Sequence, residues 1–151
     1  MGMNTIGNIQ EIDLDGFQVV KGDMFLCNAS RHAMMMSIWP DSISFSKTSI
    51  QALNNCERVR LEVNSESKTI LVIPVTAQDK DNVRWISSKS QKSRRIGCER
   101  FTYMLYRTWG WDTELAYRSE GKLVSANNKV MLLFPFDQAE NWKHARNEGN
   151  G

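Results

Sequence analysis

One order of elements occurs twice along this chain: a short helical stretch, then apolar segments that end at a proline. In the first copy Ile50 and Leu53 stand three apart with Ala52 beside them, a helical spacing that predicts about two turns over 47–55. Ser46 or Thr48 can cap the first turn, and Asn54-Asn55 tolerates a left-handed exit. Val59, Leu61 and Val63 then alternate with Arg58, Arg60 and Glu62, the pattern of a strand with one wet face. A polar turn, Asn64–Lys68, leads into Ile70–Val75, apolar nearly throughout, with Pro74 marking an edge or an end. In the second copy Phe101, Met104, Leu105 and Thr108 form a stripe at i, i+3, i+4 and i+7, which predicts a helix over 98–109. Gly110 stops it. Leu115 and Tyr117 begin a strand that Glu120-Gly121 interrupts and Leu123-Val124 continues. Asn127-Asn128 turns the chain, and Val130–Phe136 returns as an apolar strand. Val72-Ile73-Pro74 thus corresponds to Leu133-Phe134-Pro135, about 60 residues further on.

Two such halves can pair their sheets and cover each other's edges. The expected fold is therefore α+β: mostly antiparallel β with two short helices, built as a pseudo-repeat of helix plus β-hairpin in a single domain over 14–137. Ahead of the repeat, Asp15-Gly16 signals a turn, and Phe17 and Val19 alternate with polar residues as a short strand, which Lys21-Gly22-Asp23 breaks. Met34–Trp39 is an apolar run of strand length, so Met34-Met35-Met36 reads as core strand. Pro40-Asp41 ends it, and Ile43 and Phe45 alternate with Ser42, Ser44 and Ser46. Val83–Ile86 reads as a further short strand. Residues 1–13 read as a flexible N-terminal arm and 138–151 as a flexible C-terminal tail.

A domain of 151 residues with 41% hydrophobic residues buries about 70% of the surface its unfolded chain exposes. Its core needs no cross-links. Cys27, Cys56 and Cys98 are an odd set with irregular gaps, which points to a reducing compartment rather than a disulfide framework. No apolar run reaches the ~20 residues of a membrane helix. Met1–Ile12 lacks the basic end and apolar centre of a signal peptide, and Ile6 stands where a myristoylation signal requires Ser or Thr. The expected location is cytoplasmic, so the glycosylation triplet Asn28-Ala29-Ser30 reads as chance.

Charge is unevenly placed. Between Asn82 and Cys98 lie Arg84, Lys89, Lys92, Arg94 and Arg95 with no acid, and removing those five from the net +2 leaves −3 on the remainder. A serine-rich basic stretch is at its plainest a solvated loop, and at its most informative the footprint of an anionic partner. In the second reading the basic side chains neutralise phosphates and Trp85 stacks on or wedges between bases.

Catalytic and cofactor chemistry finds little support. The two histidines, His32 and His144, form no spacing with a nucleophile or a second ligand pair, and no CxxC, HExxH, GxGxxG or Walker pattern occurs. No cofactor is expected. Asp79, Asp81 and Glu99 flank the basic stretch as ordinary surface acids. Tyr103 and Tyr106 lack the Arg/His/Arg cluster a recombinase tyrosine needs, and Tyr103 reads as a shield for the core edge. Trp109-Gly110-Trp111 reads as a clamp of the helix stop onto the sheet, with an exposed interaction patch as the other reading.

Two resemblances attach to these residues. Ile43–Phe45 with the short helix, Arg58–Val63, a turn and Ile70–Pro74 looks like an AbrB-type swapped-hairpin half, without that family's basic DNA-contacting strand. Across residues 16–140, Asp15–Phe25, Glu57–Asn64, Arg84–Ile86, Gly110–Asp112, Tyr117-Arg118 and Gly121-Lys122 resemble small proteins carried by mobile elements of Clostridia-like bacteria and labelled "integrase". That resemblance implies a plasmid, phage or transposon protein and supplies no catalytic residues. The expected function is a non-catalytic DNA-binding accessory or regulatory protein, acting through Arg84, Trp85, Lys89, Lys92, Arg94 and Arg95. The alternative is an anti-CRISPR-type inhibitor whose partner is a nucleic-acid-processing protein such as a CRISPR effector. A homodimer is compatible with either.

Overall fold

The computed structural model describes residues 5–6, 9–20, 33–86 and 95–144. Contacts divide the chain into two units, Met1–Ser30 and Arg31–Gly151, so the division falls after Ser30 rather than at 13. In the first unit β1 (Thr5–Ile6) pairs antiparallel with β2 (Ile9–Gln10). Asp15-Gly16 forms the expected turn, closed by Phe17 N–H donating to the Leu14 carbonyl at 3.1 Å. The strand expected from Phe17 does not form over 17–20. Alternation supplies a strand with a face, but a strand needs a partner ladder, and none is present there among the described residues.

The second unit is α+β, with two helices and two five-stranded antiparallel sheets. The strands are β3 (Met35–Trp39), β4 (Ser42–Phe45), β5 (Arg58–Asn64), β6 (Thr69–Val75), β7 (Val83–Arg84), β8 (Ile96–Gly97), β9 (Leu115–Glu120), β10 (Lys122–Ala126), β11 (Lys129–Pro135) and β12 (Glu140–Lys143). One sheet runs β10-β11-β6-β5-β7 and the other β12-β9-β3-β4-β8. The helices are α1 (Lys47–Ala52) and α2 (Glu99–Trp109).

Hairpins β5–β6 and β10–β11 join through β6 and β11, with Val72 opposite Leu132 and Ile70 opposite Phe134. Both prolines sit where a missing N–H leaves no gap in a ladder. Pro74 lies past the last β11 pairing, at Val72, and Pro135 past the last β10 pairing, at Leu133. The β10–β11 turn is Asn127-Asn128, with both residues at positive φ (52° and 62°), the geometry of a two-residue hairpin loop.

Inward residues of the two sheets meet in one core that includes Met36, Ile38, Ile43, Phe45, Val59, Ile70, Val72, Leu132 and Phe134. Met36 is fully buried, as expected for core strand. Ser46 caps α1 by accepting from Ser49 N–H, and Asn54 and Asn55 leave it at φ 59° and 55°.

Three expectations need correction. The strand read as interrupted at Glu120-Gly121 is two strands in different sheets: β9 pairs β3 and β12, whereas β10 pairs β11. The interruption is a corner. Within the expected C-terminal tail, Glu140–Lys143 forms β12 against β9, a strand too short to show a period in the sequence. Finally, the buried stripe of α2 is Thr102, Leu105, Tyr106 and Trp109, one residue on from the expected one. Rotation by one position brings in the two large rings that also have polar ends to satisfy. Tyr106 donates its hydroxyl to the Leu115 carbonyl at 2.6 Å, and Trp109 Nε1 donates to the Ser65 carbonyl at 3.1 Å.

Candidate functional site

The basic stretch connects two sheet edges. Its first residues belong to β7, the edge strand beside β5, and its last lead into β8, the edge strand beside β4. Ile86 and Ile96 are buried in the core and pin the two ends. Lys89, Lys92 and Arg94 lie outside the described residues. Arg84 keeps a half-buried guanidinium 3.8 Å from the Glu57 carboxylate. Arg95 is more exposed: its Nε donates to Ser42 Oγ at 2.6 Å, and Nη2 lies 3.5 Å from the Asp41 carboxylate.

Trp85 is not at the surface. It is 1% exposed, packs edge-on against Phe45 with ring centroids 5.1 Å apart, and donates from Nε1 to the Cys56 carbonyl at 2.7 Å. Arg84 before it is half-buried, but just past β7 both Trp85 and Ile86 turn into the core. A ring held this way cannot stack on a base. Burial also pushes the Cys56 thiol above its ordinary value.

A set the sequence did not single out lies on the outer face of the second sheet. The Arg95 guanidinium carbon lies 4.0 Å from the centroid of the Trp39 ring. Trp39 meets Trp142 edge to face at 6.0 Å, and the Arg118 guanidinium lies 5.5 Å from the Trp142 centroid. Arg118 Nε donates to Glu140 at 2.7 Å, which fixes the guanidinium beside the ring. The contacts run arginine, tryptophan, tryptophan, arginine, with Arg118 on β9 between the two strands that carry the tryptophans. Of the five tryptophans, Trp85 and Trp109 belong to the core and Trp111 packs against it, while Trp39 and Trp142 stand outside that cluster. For Trp39 a signal was available: with Met36 and Ile38 inward, period 2 puts Trp39 on the opposite face. For Trp142 there was none, because β12 has no legible pattern.

The aromatic cluster after α2 is structural. Trp111 stacks on Tyr117 at 3.9 Å with 12° between the ring planes, and Tyr106, Trp109 and Phe136 close around them. Gly110 sits at φ 65°, in the left-handed region where a glycine is unstrained, and lets the chain turn back so that both tryptophans clamp inward. Burial holds the Tyr106 hydroxyl well above its ordinary pKa and pushes the Cys98 thiol up to about 11. Both are protonated at neutral pH and poorly suited to nucleophilic attack. Tyr103, by contrast, is 63% exposed and lies outside the buried stripe of α2 rather than over the core edge.

Of the acids near the basic stretch, Asp79 is tied up locally. Asp79 accepts from Arg60 Nη1 at 2.6 Å and from Asp81 N–H at 2.8 Å. His144 Nε2 lies 3.1 Å from the Thr113 carbonyl oxygen. Among the described residues no group of three His, Cys, Asp or Glu side chains is arranged to hold a metal ion, and no helix is long and apolar enough to cross a membrane. No family model, curated protein or solved structure matches the chain.

Proposed function

We propose that this protein is a non-catalytic DNA-binding accessory or regulatory protein of a mobile genetic element. The observation that carries the reading is that the acid-free basic stretch spans two edge strands whose ends are pinned by buried Ile86 and Ile96. A basic segment tethered to a fold at both ends loses less ordering entropy on gathering phosphates than the same charge on a free tail. The resemblance to mobile-element proteins supports the same reading. Contacts from Lys89, Lys92, Arg94 and Arg95 to phosphates position a protein on DNA without reading sequence.

The test is fluorescence anisotropy with random duplex and single-stranded DNA at about 50 mM salt, followed over rising salt. Binding should weaken with a log–log slope of about −0.9 per phosphate contacted on duplex. Changing Lys92, Arg94 and Arg95 together to Ala should weaken binding alike on all sequences and flatten the slope by up to about three contacts. A parent protein that binds neither form of DNA rejects the reading.

One observation favours a protein partner instead. Arg84 and Arg95 face the carboxylates of Glu57 and Asp41, so the described part of the patch is mixed in sign. A mixed-sign patch beside exposed arginine and half-buried tryptophan suits a protein interface. On this second reading the protein inhibits a nucleic-acid-processing enzyme such as a CRISPR effector. The triple variant then loses inhibition, while even the parent fails to bind free DNA.

A further inference from the structure

We infer that the outer face of the sheet β12-β9-β3-β4-β8 is a stacking platform for single-stranded nucleic acid, with Trp39 and Trp142 as its rings and Arg95 and Arg118 as its cationic flanks. The inference rests on the nucleic-acid reading above and names the strandedness and the face.

The geometry begins with Ala116. It stands directly opposite Trp142 on β9, and the β3–β9 register, extended one step past Ile38 and Tyr117, puts Trp39 opposite it on the other side. The strands carrying the two tryptophans are two strand spacings apart, roughly 10 Å. A large side chain at 116 would keep the indoles apart. The alanine methyl lets them converge to 6.0 Å and is itself fully covered. Around them the same face carries Ser37, Ser42 and Ser44, so the rings stand above a floor of small polar side chains.

Two large rings outside the core need a reason to be there. Packing into the core is not it, since neither joins the core cluster, and on this face they cover each other and Ala116. Each ring instead has a guanidinium against it, and each guanidinium is held by a carboxylate, Asp41 for Arg95 and Glu140 for Arg118. Aromatic rings and guanidinium planes on an open sheet face are the chemistry that takes splayed-out bases of a single strand. Duplex DNA hides its base faces, so it has nothing to offer these rings. The carboxylates offset much of the arginine charge, so stacking rather than phosphate contact supplies the binding. This contribution is therefore insensitive to salt, unlike that of the basic stretch. Arg95 belongs to both, as the last residue of the basic stretch and the cation over Trp39.

The experiment measures anisotropy of a labelled oligothymidine of about twelve nucleotides, of an abasic oligomer of the same length and charge, and of the corresponding duplex. The parent should bind oligothymidine about tenfold or more tighter than the abasic strand. The W39A/W142A variant should lose that difference with its salt slope unchanged, and W39F/W142F should keep most of it. If W39A/W142A fails to fold by circular dichroism, W142A alone, on edge strand β12, carries the test. Equal binding of the abasic strand by the parent overturns the platform, as does a folded W39A/W142A that binds oligothymidine like the parent. Tryptophan substitution that dissociates a dimer of this chain without changing oligothymidine binding overturns it too, and assigns the face to self-association. Steep salt-dependent binding of duplex with unaffected tryptophan variants sinks the platform alone. No binding of any nucleic acid removes the functional reading along with it.

Discussion

Gly121 lies so close to the Phe134 ring that a Cβ at 121 would stand 2.6 Å from Cε1 and 2.7 Å from Cδ1 of Phe134, and 2.9 Å from the Leu133 carbonyl oxygen. Gly121 is the one residue between β9 and β10, at the point where the chain leaves one sheet for the other. Its N–H donates to the Met34 carbonyl at 2.8 Å, and the adjacent Ser119 hydroxyl donates to the Pro135 carbonyl across the sheets. The corner is thus closed by hydrogen bonds on both sides, with the fully buried Phe134 packed under it.

Gly121→Ala should therefore cost about 1–3 kcal/mol in denaturant unfolding, the usual penalty for forcing atoms into a packed core. Phe134→Leu in the same chain should recover part of that loss by vacating the ring position. A double-mutant cycle with no coupling between the two would show that the Phe134 contact is not the cause.

Trp85→Phe should destabilise by about 1–3 kcal/mol, because the Cys56 carbonyl loses the donor that reaches it at 2.7 Å. Among molecules that remain folded, DNA affinity and its salt slope should not change, since the ring does not reach the surface. A Trp85→Phe protein of parental stability but weakened DNA binding would restore Trp85 to the binding surface.

The one-residue rotation of α2 separates two neighbouring substitutions. Leu105→Ala removes a fully buried side chain and should cost about 2–5 kcal/mol. Met104→Ala, at a position that is 41% exposed, should stay within about 0.5 kcal/mol of the parent. Chemical denaturation of the two variants side by side distinguishes this stripe from one centred on Phe101 and Met104.

Asp79 sets part of the acid limb of stability. The Asp81 N–H and the Arg60 guanidinium both favour its charged form and hold its carboxyl below the ordinary 3.8. Because the folded value is the lower one, the unfolded chain binds the proton first. The stabilisation is present above about pH 4 and is lost as pH falls through the folded value. Asp79→Asn should lower stability at pH 7 while giving a shallower decline on acidification. Parallel decline of parent and variant would mean that the contact is not felt in solution.

Local pattern alone determined several features. Alternation at Val59–Val63, the glycine stop at Gly110, the left-handed exit at Asn54-Asn55 and the turn at Asn127-Asn128 are all present in the fold. Each depends on side-chain chemistry within a few residues, which the sequence carries in full. The correspondence of the two proline-terminated strands was also legible, because both are apolar over the same length; that they pair with each other was not.

Tertiary structure decided the rest. The corner at Gly121 reads as a mere interruption until the Phe134 ring is seen beneath it. Which stripe of α2 is buried depended on carbonyls at Leu115 and Ser65, which no helical period can anticipate. Trp85 follows a basic residue and precedes the basic stretch, but its packing on Phe45 and its hydrogen bond to the Cys56 carbonyl hold it in the core. Arg95, Trp39, Trp142 and Arg118 come from four separate stretches of chain and have no spacing in common. Only sheet order brings them together: β3 and β12 both pair with β9, Arg95 leads into β8 on the far side of β4, and Ala116 leaves the two indoles room to meet.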